Sequence, residues 1–146
     1  MPSHASDPRH QRLVAVLPPL LARTCPPDGG GYGGAYELRL TGREVRELGG
    51  LDLLRSALRA AARSQGWTRV ETYGTDTAVG EAVVGVVDRR EAPGGFAEAV
   101  DRHRQKRMRT AVETVARNRA EGTRRTVPGS VVLAAQEFRA ALADLG

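Results

Sequence analysis

The sequence predicts an α+β domain: a small three-stranded antiparallel or mixed sheet in a β-α-β-β split arrangement, with helices packed on it and a basic helix and a C-terminal helix following. Three observations predict this. YELRLT (36–41) alternates apolar and polar residues; Leu51, Leu54, Leu58, Ala61 and Ala62 recur at helical spacing; and Val79 to Val87 is apolar on both faces. A strand that is apolar on both faces belongs in the middle of a sheet, so the third strand is placed antiparallel between the first two, with the intervening helix over one face.

With 146 residues, 40% hydrophobic and 27% charged, the chain fits one domain with polar tails. Its aromatic residues are Tyr32, Tyr36, Trp67, Tyr73, Phe96 and Phe138, so the core must be built mainly from Leu, Val and Ala. A core that thin suits a single layer of helices on a small sheet, or one completed by a second chain.

Taken in order, residues 1–8 are polar, and Arg9 to Leu17 forms a short helix that Pro18-Pro19 is expected to stop. CPPDGGGYGG (25–34) is dense in Pro and Gly and reads as a linker. The expected organisation is therefore a flexible N-terminal arm over 1–34 and a single α+β domain over 35–146. The first strand is followed by one helical turn from Arg43 to Leu48, then by the helix from Leu51, which Gly66 should stop. Trp67 to Tyr73 reads as the second strand, Gly74 to Thr77 as a turn and Val79 to Val87 as the third strand. Beyond Pro93-Gly94-Gly95, the positions Phe96, Val100, Met108, Val112 and Val115 mark a long helix to about Asn118, with its weak step across Arg104. Residues 119–129 read as a loop, and Ser130 as the cap of a last helix carrying Val131, Leu133 or Ala134, Phe138 and Leu142.

Leu13 to Ala22, with Arg9 and Arg12 upstream, has the outline of a signal peptide. Pro18-Pro19 interrupts it, and Arg23 stands where small residues would mark cleavage. No stretch approaches the roughly 20 apolar residues of a membrane span. The lone Cys25 excludes an internal disulfide and suits a reducing compartment, so the expected location is cytoplasmic, away from membranes.

The charge is unevenly spread. There are 22 basic residues, of which Lys106 alone is Lys, against 17 acids, for a net charge of +5. Half of the basic residues fall in 89–125, and within that segment DRHRQKRMR places Arg102, Lys106 and Arg109 on one helical stripe with Arg104 and Arg107 beside it. Arg117, Arg119, Arg124 and Arg125 extend the basic region. Such a stripe can follow the phosphates of a nucleic acid, Arg making two-pronged contacts, while the missing interleaved aromatics argue against base stacking. The same stripe is also what a solvated helix face in an Arg-rich chain looks like.

Other motifs carry less. Gly29, Gly31 and Gly34 spell GxGxxG, but after Cys-Pro-Pro and before a strand, the reverse of a dinucleotide loop's context. Cys25 is expected to be accessible and incidental. His103 has no second group to make it a base or ligand, since His4 and His10 fall in the arm. Around Asp76 and Asp88, residues 51–117 loosely resemble the core of metal-dependent nucleases of the PD-(D/E)xK type, and GGFAEAVDRHRQKRMRTAV is similar to the basic helix of one uncharacterised family in that fold. That resemblance implies paired carboxylates holding a divalent cation and a Lys assisting the attacking water. Here an Arg, which cannot release its proton, stands in the Lys place, and the resemblance is not taken as membership.

The leading expectation is a non-catalytic accessory or regulatory protein that contacts the backbone of DNA or RNA through its basic helix, with no cofactor and no metal. Two other readings stand beside it. One is a homodimeric interaction module whose basic helix meets an acidic partner; the other is a divergent nuclease, which requires Asp76 and Asp88 to converge.

Overall fold

The structure, a computed structural model, describes residues 4–76, 80–120 and 130–145, with backbone alone at 114, 115, 117–120, 130 and 131. After a 3-10 turn at His4–Ser6, the described elements are α1 (Pro8–Ala22), β1 (Ala35–Thr41), α2 (Gly42–Glu47), α3 (Leu51–Ser64), β2 (Val70–Asp76), β3 (Glu81–Asp88), α4 (Gly94–Ala120) and α5 (Ser130–Leu145). The sheet order is β1-β3-β2, and both pairings are antiparallel. This is the α+β split arrangement, with the strand apolar on both faces at the centre.

The pairing register lines up the core rows. Tyr36, Val86 and Thr72 lie side by side, as do Leu38, Val84 and Gly74. Tyr36, Leu38, Leu40, Ala82, Val84 and Val86 are all buried on this face. Upon it sit α3, which packs on β2 and β3, and α5, which packs on β1, while α1 bridges α3 and α5. On the opposite face Tyr73 lies across Gly85, its hydroxyl donating to Glu37 Oε1 at 2.8 Å.

Local chemistry sets the helix ends. At α2, Thr41 accepts from Glu44 N at 3.1 Å and Glu44 accepts from Thr41 N at 3.0 Å, a reciprocal cap spelled T-x-x-E in the sequence. At the end of α3, Gly66 N donates to Arg63 O at 2.9 Å and Trp67 N to Ala62 O at 3.1 Å, with Gly66 at φ +85. These two bonds close a helix through a left-handed residue, the reason a Gly is needed there, and they drop Trp67 into the core.

Two expectations are corrected. Residues 4–34 are not an arm beside the domain. Helix α1 runs through Pro18-Pro19 to Ala22, and its Leu13, Leu17, Leu20 and Leu21 lie in the common core. The carbonyls left without helical donors belong to Val14 and Ala15, half-buried and exposed, so they are not stranded in a dry interior. An internal Pro costs about 3 kcal/mol, and each buried Leu returns roughly 1.5–3 kcal/mol, which is why the helix continues. His10 is likewise buried, its Nε2 3.2 Å from Ser56 Oγ on α3.

The second correction concerns β2, which begins at Val70 and extends through Gly74 to Asp76, so those residues are strand and not turn. Gly74 is tolerated because the Arg55 stem lies over it, and Arg55 and Arg59 both donate to Thr72 from α3. Trp67 precedes the strand as a core residue. The long helix is met as α4, and its phase slips at the weak step across Arg104: Val100 and Met108 are eight residues apart, which turns about 80° beyond two full turns, so Phe96 and Val100 meet the body while Met108 and Val112 point away, 71% and 68% exposed. At α5 the choice falls on Ala134, since Leu133 is exposed and Ala135 and Phe138 are buried.

Candidate functional site

The basic helix is held at its first turns and projects beyond them. At 27 residues α4 is about 40 Å long. Its start is seated on the loop between α1 and β1: Phe96 lies over Gly30 and stacks on Tyr32 with ring centres 6.1 Å apart, and Val100 lies against Gly33. Gly33 has φ +81, and a Cβ there would fall 2.7 Å from a Val100 methyl, so both conformation and contact demand glycine. The loop is thereby a ledge on which α4 rests. Gly29, Gly31 and Gly34 belong to this ledge, which leads into β1.

From Asp101 to Glu113 every side chain of α4 is exposed except His103, which is half-buried. Arg102, Arg104, Lys106, Arg107 and Arg109 therefore stand in solvent, as the sequence placed them. Arg104 is 3.9 Å from Asp101, while among the described residues Arg102, Lys106, Arg107 and Arg109 make no ion pair. The side chains of Arg117 and Arg119, and the whole of Arg124 and Arg125, lie outside the described residues. Arg89 and Arg90, at the start of the basic segment, are occupied: Arg89 pairs with Glu71 at 2.8 Å and Arg90 with Asp88 at 2.7 Å.

Tertiary structure adds a groove the sequence did not disclose. It has a volume of about 380 Å³, and one wall is the turn Pro26-Pro27-Asp28. The other is α4, with Ala99 and His103 low in the groove and Arg102, Lys106 and Arg109 along it. The predicted stripe is thus one wall of a cleft, and Arg104 and Arg107 lie on the far flank. Burial, and then the charges of Arg107 and Lys106, hold His103 below the ordinary imidazole range, so it is neutral at pH 7. Chemically the groove offers three cations, the Gln105 amide, a neutral ring and one facing carboxylate.

The chain matches no family model, no curated protein and no solved structure.

The carboxylates of the nuclease-like reading are not brought together. In the β2–β3 register Asp76 is opposite Ala82 and Asp88 is opposite Val70, so the two acids sit at opposite ends of the sheet, about 20 Å apart. Asp76 is exposed, and Asp88 is buried in its pairing with Arg90. Among the described residues no group of three or more His, Cys, Asp and Glu converges as a metal site. Cys25 is half-buried; its thiol donates to Gly31 O at 3.6 Å, and burial followed by the Asp88 charge pushes its pKa up. No described helix is long and apolar enough to cross a membrane.

Proposed function

We propose that this chain binds the phosphate backbone of nucleic acid through α4, as a non-catalytic accessory or regulatory protein. One observation carries the reading: Arg102, Lys106, Arg107 and Arg109 are exposed and free of described carboxylate partners on a helix that projects from the body. Cations already neutralised by acids would release few counterions on meeting a polyanion, whereas unpaired ones release them all. Arg supplies the forked donors that suit a phosphate, and a half-exposed helix about 40 Å long can run beside several phosphates at once.

The test is fluorescence-anisotropy titration of labelled duplex DNA, single-stranded DNA and RNA at several salt concentrations. Log affinity should fall against log salt with a slope that corresponds to about four or more phosphates, roughly 0.7–0.9 per phosphate. Changing Arg102, Arg104, Lys106, Arg107 and Arg109 together to Gln should abolish binding. Absence of binding to all three at low salt would end the reading.

A second reading has its own observation. Met108 and Val112, one turn apart, are largely exposed on the side of α4 away from the body, as an apolar seam of a homodimer or of an acidic partner's docking site would be. Light scattering of the wild type and of Met108→Glu separates the two readings, because this change leaves the cationic stripe in place. A monomer in both cases removes the dimer.

A further inference from the structure

The groove beside α4 has a polarity that a simple phosphate track does not need. Its helix wall carries Arg102, Lys106 and Arg109, and its loop wall carries Asp28, with no ion pair across it among the described residues. A carboxylate repels phosphate, so an occupant that was phosphate alone would be opposed from that side. A phosphate joined to a hydroxyl donor satisfies both walls. The volume, about 380 Å³, is at the small-molecule end of binding clefts and suits one nucleotide of a strand, not a duplex.

The loop wall is built to hold its position. Gly29 N donates to Pro26 O at 3.0 Å and Tyr32 N to Gly29 O at 3.1 Å, so Asp28 sits inside a hydrogen-bonded turn whose Pro26 is buried.

We infer that the groove accepts one ribonucleotide unit of a single-stranded RNA, its phosphate on the Arg102–Lys106–Arg109 wall and its ribose 2′-hydroxyl donating to Asp28. The inference rests on the reading of α4 as a phosphate-binding helix and adds the class of nucleic acid. The 2′-hydroxyl is the group that distinguishes RNA from DNA, and it is a donor where the groove presents an acceptor without a described partner. Deoxyribose leaves Asp28 facing phosphate with nothing to accept.

The experiment compares single-stranded RNA, DNA and 2′-O-methyl RNA of one sequence, bound to the wild type and to Asp28→Ala at fixed salt. The wild type should prefer RNA by about three- to tenfold, the worth of one such hydrogen bond, and treat the 2′-O-methyl strand as it treats DNA. Asp28→Ala should bind DNA and the 2′-O-methyl strand more tightly, having lost a repelling charge, while RNA forfeits its hydrogen bond, which brings the RNA to DNA ratio close to one. Asp28 is exposed, so folding should be unaffected, and circular dichroism checks it. Equal wild-type affinity for RNA and DNA, or a preference that survives Asp28→Ala, overturns this inference and leaves the proposed function standing. No binding to any strand overturns both. A ribonucleoside 5′-monophosphate should compete only far above the strand's own concentration, since it brings one phosphate; competition at equal concentration would overturn the strand as occupant.

Discussion

Asp88 and Arg90, two residues apart at the end of β3, grip each other through a forked ion pair in which each carboxylate oxygen takes a guanidinium nitrogen. Arg90 Nε is 3.0 Å from Oδ1 and Nη2 is 2.7 Å from Oδ2, with the Asp88 side chain fully buried and that of Arg90 17% exposed. The remaining donors of Arg90 reach Gly66 O at 2.9 Å and Gly31 O at 2.8 Å, and its guanidinium lies 4.3 Å from the centre of the Tyr32 ring. One side chain thus ties the turn after α3 to the ledge that seats α4. It also engages the acid that the nuclease-like reading wanted for metal.

Removing either partner strands a buried charge. Arg90→Ala is expected to cost about 3–5 kcal/mol in urea unfolding. Arg90→Lys should recover little, because an ammonium cannot make the fork and reach both carbonyls. A loss below about 1 kcal/mol for Arg90→Ala would show that the clasp is dispensable.

Glu44 and Arg139 join α2 to α5 with contacts of 2.7 and 2.9 Å. The Arg139 guanidinium, assisted by Thr41 N, lowers the Glu44 pKa from the ordinary 4.5 to about 2. A carboxylate depressed in the folded state contributes stability that is complete above about pH 4.5 and is lost as the pH falls to about 2. Arg139 is 46% exposed, so solvent screening reduces the contribution to about 1 kcal/mol. Thermal unfolding of Arg139→Gln should lie below wild type at pH 7, with the two curves merging near pH 2.

The placement of α1 makes opposite forecasts for neighbouring residues. Leu17→Ala empties a fully buried position and should cost about 2–5 kcal/mol. Pro19→Ala, at an exposed site, restores a helical donor to Ala15 O and should stabilise by roughly 1–3 kcal/mol. Were residues 8–22 an arm outside the core, Leu17→Ala would leave the melting temperature unchanged.

The proposed binding to nucleic acid should depend on pH through His103. It faces Arg107 and Lys106 on its own helix and Asp28 across the groove, and it is neutral at pH 7. A bound polyanion favours the imidazolium and raises the pKa of His103 in the complex, so protonation and binding reinforce each other. Affinity for RNA should therefore rise as the pH falls from 7 to 5.5, and His103→Gln should flatten that dependence. Identical pH profiles for the two proteins would remove His103 from the interface.

Much of the fold was legible because its signals are local. The alternation of Tyr36, Leu38 and Leu40, the helical spacing from Leu51 to Ala62 and the Gly66 stop are each properties of a few consecutive residues, and each was met. Misreadings occurred where local preference and tertiary gain disagree. Pro18-Pro19 discourage a helix until the leucines around them have a core to enter, and Gly74 weakens a strand until Arg55 covers it. Met108 and Val112 share apolarity with Phe96 and Val100 but not direction, since the phase across Arg104 is wrong for one face.

The sequence by itself determined the centrality of β3, through apolarity on both faces, and the position of the positive charge, through the run from Arg102 to Arg109 on one helix. Only the tertiary structure decided that α1 is core, that Asp88 is Arg90's partner while Asp76 lies at the other end of the sheet, and that Asp28 stands across a groove from the cationic stripe. The physical reason is range. Periodicity reports which face of an element is apolar, whereas Asp28 and Arg102 are more than seventy residues apart and meet because Phe96 and Val100 settle on a glycine ledge, a contact with no spacing to announce it.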